Sequence, residues 1–255
     1  MIRLEHVTFA YREEPVLIDV SFSVAPGETK VILGSSGSGK STILKVILGL
    51  VQPQSGEVII DGVAMTRARE KEWRAVRRKI GMVFQGGALF DSMTIGENIG
   101  YYLLEYTDKP LAEIEQTALH ILRYLDLSED LLDVLPDELS GGMERRVAIG
   151  RAIAAENPSI MLYDEPTTGL DPISTRTITD LIGKLQREKG VSSIVVTHQI
   201  TDAFGISNEF LMVHQGRVIF DGDAPGLLNC RDEYVRDFLG PYLDSVRSLP
   251  EHVGQ

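Results

Sequence analysis

Gly34-Ser35-Ser36-Gly37-Ser38-Gly39-Lys40-Ser41 fills every fixed position of the pattern G-x-x-x-x-G-K-[ST]. Glycines at these points let several backbone N–H groups curl around one anion, and a lysine follows to meet it with a fixed charge. The chemistry indicated is phosphate binding. Lys40 is expected to reach the β- and γ-phosphates of a nucleotide, and the Ser41 hydroxyl to coordinate Mg²⁺. Thr42, next in line at the start of a helix, belongs to the same binding set. A flexible Gly/Ser linker is the plain alternative, and it does not sit between a buried strand and an apolar helix.

Two further stretches carry chemistry. Ile160-Met161-Leu162-Tyr163 runs as an apolar strand up to adjacent carboxylates, Asp164-Glu165. At the carboxyl end of a parallel strand Asp164 is suited to orient Mg²⁺ or its water shell, and Glu165 to take a proton from attacking water. An ordinary acidic turn is the other reading. Leu139-Ser140-Gly141-Gly142-Met143 places a capping serine and two glycines at a helix start. Exposed N–H groups and the helix dipole make that a second anion site. One nucleotide needs only one phosphate loop, so this second site needs a ligand of its own.

These groups must be positioned by an α/β framework. Thr29 to Leu33 reads as a buried strand feeding the glycine loop, and Thr42 to Gly49 as the helix behind it. Residues 2–24 read as two β segments around Tyr11-Arg12-Glu13-Glu14-Pro15, and Glu57 to Gly62 as a strand ending in a turn. Gly81-Met82-Val83-Phe84-Gln85 reads as a buried strand ending on a polar residue. Between about Thr94 and Glu156 the pattern is helical: Leu111, Ile114, Ala118, Ile121, Leu122 and Leu125 share one face, and Ser140 caps a helix through Arg151. Strand patterns return at Ile160–Tyr163 and Ser193–Thr197, then in a hairpin, Phe210–Val213 and Val218–Phe220, turning at Gln215-Gly216. The expected organisation is an α/β core with a helical lobe inserted in its middle.

Composition narrows the classes. With 255 residues and 43% hydrophobic content, the chain can bury a large core. A net charge of −12 argues against a sequence-independent grip on nucleic-acid phosphates. The one basic stretch, Arg67 to Lys79 around Trp73, is interrupted by Glu70 and Glu72 and reads as a solvated helix face. The single cysteine, Cys230, excludes an intrachain disulfide framework and suggests a reducing compartment. The first residues alternate like a strand and lack the apolar core of a signal peptide. No stretch approaches the ~18 consecutive apolar residues of a spanning helix. The chain is expected in the cytoplasm.

The phosphate loop, Leu139–Met143, Asp164-Glu165 and His198 together resemble the motif set of an ATP-binding-cassette nucleotide-binding subunit, from about Ile2 to Gly222. The resemblance implies a P-loop NTPase core, with a RecA-like parallel sheet, an N-terminal antiparallel β subdomain and an inserted α-helical subdomain. It implies a domain over 1–230 with the helical part at about 90–156. A tail over 231–255 is expected to lie beyond the core, clasping a neighbouring chain or fraying. It further implies ATP and Mg²⁺, and a head-to-tail homodimer in which Ser140, Gly141 and Gly142 of one copy complete the γ-phosphate site of the other.

Matching positions carry roles implied by the resemblance. Tyr11 stacks on adenine, though an edge-strand tyrosine is the structural alternative. Gln85 contacts Mg²⁺ and water and senses the membrane partner, where an amide could also cap a loop. Gly169-Leu170-Asp171 crosses the dimer interface. His198 hydrogen-bonds the γ-phosphate beside Lys40 and Glu165. Met143 departs from the glutamine many cassettes carry, but the backbone anion site survives and ATPase activity with it.

Ala88-Leu89-Phe90-Asp91-Ser92, with the Met143 signature, looks most like the ATPase subunit of MCE-associated, Mla-type phospholipid transporters. That resemblance spans a handful of residues. It implies a multi-pass permease docking on the stretch after Gln85, an MCE-domain lipid-binding protein and a small STAS-domain regulator. The chain would sit on the cytoplasmic face of the inner membrane through the permease. A cassette for another small solute uses the same engine, and the identity of the membrane subunit separates the two. A soluble cassette acting on ribosomes or DNA is disfavoured by a single cassette without long coiled-coil insertions.

Overall fold

The computed structural model describes residues 2–155 and 158–247. Glu156, where the helical lobe is expected to end, and positions 248–255 of the tail lie outside the described residues. The chain opens with β1 (Ile2–Tyr11), β2 (Glu14–Val24), β3 (Thr29–Leu33), α1 (Lys40–Ile47), β4 (Ser55–Ile60), β5 (Val63–Ala64), α2 (Glu70–Arg77) and β6 (Ile80–Val83). The helical insertion follows as α3 (Ile95–Tyr106), α4 (Leu111–Tyr124) and α5 (Gly141–Ala154). Alternation resumes with β7 (Ile160–Asp164), α6 (Pro172–Lys189), β8 (Ser192–Thr197) and α7 (Ile200–Ile206). The last elements are β9 (Glu209–His214), β10 (Arg217–Asp223), α8 (Ala224–Leu228) and α9 (Glu233–Arg247).

Two sheets organise these elements. An antiparallel sheet runs β2-β1-β4-β5, and a six-stranded sheet runs β10-β9-β3-β8-β7-β6. In the larger sheet β9, β3, β8, β7 and β6 are parallel, and β10 pairs antiparallel at the edge. Each parallel strand carries a continuous apolar run, as in Val31–Leu33, Ile160–Tyr163 and Ile194–Val196, because both faces are covered. Alternate residues divide between two cores: Val31, Leu33, Met161, Tyr163, Val195 and Phe210 face the helical side. Ile32, Ile160, Leu162, Ile194, Val196 and Leu211 face α1 and the antiparallel sheet. The fold is the α/β P-loop architecture with an antiparallel β subdomain and an inserted helical subdomain.

Several boundaries differ from the sequence reading for local reasons. Helix α1 begins at Lys40, two residues before Thr42, so the lysine and Ser41 lie inside its first turn. Strand β6 stops at Val83, leaving Phe84 and Gln85 exposed beyond it. There the Phe84 carbonyl accepts from Gly87 N–H at 3.0 Å and from Arg145 Nη1 at 3.0 Å, so its hydrogen bonding is spent on a turn. Thr94 caps α3. Its hydroxyl accepts from Glu97 N–H while the Glu97 carboxylate accepts from Thr94 N–H at 2.8 Å. In α2 only Trp73 is buried, and Glu70 receives both Arg74 and Arg77. Within the described part of the segment expected beyond the core, α9 seats Val235 and Leu239, at 0% and 1% exposure, in the helical-side core. Its apolar residues at positions 235 and 239 share one helical face, which packs on the chain's own core.

Parallel pairing brings the carboxyl ends of β6, β7, β8 and β3 to one edge of the sheet. Val83, Asp164, Thr197 and Leu33 end those strands, and each opens a loop that carries candidate chemistry.

Candidate functional site

The glycine loop leaves β3 and re-enters the fold as α1. Gly34 has no room for a side chain: a Cβ there would stand 2.3 Å from the Val213 carbonyl oxygen and 2.7 Å from Ser38 Oγ. Lys40 is 6% exposed, and its Nζ donates to the carbonyls of Gly34 at 2.8 Å and Ser35 at 2.9 Å. It stands 4.0 Å from Glu165 Oε1. Burial pulls the Lys40 pKa below the ordinary lysine range, while the Glu165 and Asp164 charges push it back up. A cation held among loop carbonyls and two carboxylates is suited to meet a phosphate.

Asp164, the last residue of β7, accepts from Ser41 Oγ at 3.0 Å. Burial raises its pKa above the usual carboxylate range; Glu165 adds to the rise, and the Ser41 hydroxyl and Lys40 oppose it. Glu165 is 8% exposed and takes a positive φ of 49°. A side-chain residue in that region costs on the order of 1–3 kcal/mol and persists where the surroundings dictate it. Here they do: its N–H donates to Val196 O at 2.9 Å, fixing the turn against β8. Both of its carboxylate oxygens are held, Oε1 by His198 Nδ1 at 2.9 Å and Oε2 by the Thr168 hydroxyl at 2.9 Å.

A cavity of about 330 Å³ is lined by Lys40, Ser41, Thr42, Gln85, Glu165 and His198, with Ser36, Gly37 and Gly39 of the loop and Val16 from β2. That is the size of a small-molecule site. Asp164 reaches it through Ser41.

Ser140, Gly141 and Gly142 do not line this cavity. Ser140 caps α5, accepting from Met143 N–H at 3.4 Å, and Ser140 and Gly141 are exposed. Gly142 lies so close to α6 that a Cβ would stand 2.5 Å from Ser174 Oγ. Ser174 in turn donates to Asp171, the cap of α6, at 2.5 Å. Tyr11 also stands outside the cavity, 44% exposed, with its ring edge-on to Phe9 at 4.8 Å.

Helix α5 grips the loop that follows Gln85. Arg145, 5% exposed, donates to Phe84 O, and Arg151 donates to Gly87 O at 3.0 Å and Ala88 O at 2.7 Å. The Arg151 guanidinium also sits 5.4 Å from the Phe90 ring centroid. Asn98, fully buried, holds the far end of the loop: its amide donates to Phe90 O, Met93 O and Thr94 O, and its carbonyl accepts from Phe90 N–H. The Gln85 loop and the Ser140 helix tip are thus tied to each other through α5.

Thr168, Val16, Arg145 and Arg151 escaped the sequence reading. Thr168 left a usable signal, since a hydroxyl three residues past a carboxylate on a turn is within reach of it. The arginines, six apart on a helix and therefore about 120° apart around it, do not share one face, and nothing in the sequence marked either as reaching back to the Gln85 loop. Val16 carries no chemical signal.

The sequence profile of the family described as "ABC transporter" matches residues 17–168. The chain is 36% identical over 239 residues to the intermembrane phospholipid transport system ATP-binding protein MlaF of Haemophilus influenzae, covering 94% of this chain and 90% of that one. It is 37% identical over 257 aligned positions to the methionine import ATP-binding protein MetN of Carboxydothermus hydrogenoformans, covering 99% of this chain and 75% of that one. Among solved structures, a bacterial ABC transporter cassette in dimeric form superposes with a TM-score of 0.79 at 36% identity, over 88% of this chain and 98% of that one. The cbiO1 subunit from Clostridium perfringens superposes with a TM-score of 0.81 at 28% identity, over 96% and 98%.

Proposed function

The chain belongs to the ABC transporter family and is one of its ATP-hydrolysing cassettes, and from that premise we propose that it powers phospholipid transport between the inner and outer membranes. The observation that carries the engine is the convergence of Lys40, Ser41, Glu165 and His198 on one cavity. Loop N–H groups and Lys40 hold the β- and γ-phosphates, and Tyr11 stacks on adenine. Water attacks the γ-phosphorus and gives its proton to Glu165, and the bond to the ADP oxygen breaks. His198 holds Glu165 and hydrogen-bonds the γ-phosphate.

Asp164, Ser41 and Gln85 supply the oxygens suited to Mg²⁺. A desolvated carboxylate bonded to a hydroxyl fits that ion, which takes one or two protein oxygens beside substrate phosphates. When bound, Mg²⁺ neutralises charge on the β- and γ-oxygens.

Ser140 and Gly141 are exposed at the tip of α5, outside their own cavity, which supports a head-to-tail homodimer in which each helix tip, with Gly142 behind it, closes the partner copy's site. The exposed rings of Phe84 and Phe90, at 43% and 41%, offer the permease an apolar landing on the Gln85 loop. An MCE-domain lipid-binding protein and a STAS-domain regulator complete the proposed assembly. No helix among the described residues is long and apolar enough to cross a membrane; we place the chain on the cytoplasmic face of the inner membrane, held by the permease.

The likeness to MlaF over nearly the whole of both chains and the Ala88–Ser92 wording support the lipid reading. The equally high identity to MetN favours a second one, a cassette for a small solute. Purifying the chain with its membrane partners in mild detergent separates them. Co-purifying glycerophospholipid with an MCE-domain protein is expected. A permease for an amino acid or ion, free of lipid, would overturn the lipid reading.

The Thr168 hydroxyl gives a sharper expectation. A hydrogen bond to a charged group contributes ~1.5–3 kcal/mol, so Thr168→Val should lower kcat about tenfold or more with KM for ATP unchanged, and Thr168→Ser should restore it. Steady-state phosphate release measures both.

A further inference from the structure

We propose that Tyr234, in the first turn of α9, is a positioning residue for the phosphate loop, acting through His214 and the β9–β10 turn. The proposal rests on the reading of that loop as the nucleotide site. It concerns a helix that lies outside both the matched family profile and every motif of the chain.

The contacts form a continuous path. The Tyr234 ring lies on the His214 ring, with centroids 3.6 Å apart and planes inclined by 32°. His214 is the last residue of β9, and the turn that follows it is clamped at Gly216. Gly216 N–H donates to the Ser38 carbonyl at 3.1 Å, inside the phosphate loop, and Gly216 O accepts from Ile18 N–H at 2.8 Å. One residue before His214, the Val213 carbonyl forms the floor under Gly34. The hairpin therefore touches the loop at its first residue and again at Ser38, two residues before Lys40. Tyr234 meets the hairpin at His214, two residues before the clamped Gly216.

Aromatic packing ties α9 to α7 and, through Phe204, to β9. Tyr234 stacks on Phe238 at 6.1 Å, Tyr242 stacks on Phe204 at 4.9 Å, and Phe204 packs on Phe210 at 4.9 Å. Position 234 spends its polarity on nothing: the Tyr234 hydroxyl and His214 Nδ1 are both buried without a hydrogen-bond partner. A buried unsatisfied group is a cost that a merely space-filling residue would avoid. What the position uses is the ring face. A pre-placed loop binds phosphate without first being ordered, so loosening its support should weaken nucleotide binding more than it slows chemistry.

The test uses the full chain and ADP as probe. Tyr234→Ala should raise the Kd for ADP about tenfold and the KM for ATP with it, leave kcat within about twofold, and speed exchange of the Gly216 amide. Tyr234→Phe should behave as the unmodified chain. Leu239→Ala removes a core side chain from the same helix but not from the path, and should leave Kd and Gly216 exchange unchanged. Should Tyr234→Ala fail to fold, His214→Ala removes the same stack from the strand side and should give the same rise in Kd. Unchanged Kd and exchange in the stack variants, or an equal rise in Leu239→Ala, overturns the proposal. Lys40→Ala separates the two levels. If it weakens ADP binding while the stack variants do not, only the positioning role falls; if it too binds normally, the nucleotide-loop reading falls.

Discussion

Glu165→Gln is expected to bind ATP with the affinity of the unmodified chain and to hydrolyse it ~10²–10⁴-fold more slowly, the range a positioned general base supplies. The substitution keeps the side chain's shape, so an acceptor remains for the Thr168 hydroxyl and the backbone strain at φ 49° is unaffected. What is lost is the ability to take a proton. Binding should survive because the phosphate contacts come from the loop and from Lys40, which keeps its two carbonyl partners. Blocked turnover with retained ATP should also hold two copies closed around nucleotide, a species that size-exclusion chromatography separates from the monomer. Phosphate release within tenfold of the unmodified chain would remove Glu165 from the base role, and Asp164, whose pKa burial already raises, would be the next carboxylate to test.

The same geometry shows why the site was so legible in the sequence. Lys40, Ser41, Asp164 and Glu165 belong to short contiguous motifs whose spacing is set by one strand end and one helix start, so reading the strand places the chemistry. The buried strands were equally plain, because a sheet covered on both faces demands apolar residues at every position from Val31 to Leu33 and from Ile160 to Tyr163. Gln85 was read as the end of a strand because Phe84 extends the apolar run. The Phe84 carbonyl is instead claimed by Arg145, 61 residues away, and no local pattern announces such a bond. The same holds for α9, whose burial depends on aromatic partners in β9 and α7 that are distant in sequence.

Lys40→Ala is expected to weaken ATP binding itself, by about 10- to 100-fold, since a hydrogen bond to a charged group contributes ~1.5–3 kcal/mol. The fold should tolerate the change. Lys40 opens α1, where alanine is a good helix former, and the hold of α1 on the core comes from Ile43, Leu44, Val46 and Ile47, all at most 1% exposed. The loop carbonyls of Gly34 and Ser35 lose a donor, and at the exposed Ser35 solvent can replace it. The charge cannot be replaced in that way. Without Lys40, Asp164 and Glu165 face the incoming γ-phosphate with no nearby cation from the loop, so anion meets anion across the cavity. This effect should grow as the phosphate chain lengthens, making the loss larger for ATP than for AMP, and parallel titrations with the two nucleotides measure it. A Lys40→Ala chain that binds ATP normally would contradict the cradle built from the glycine loop and its lysine.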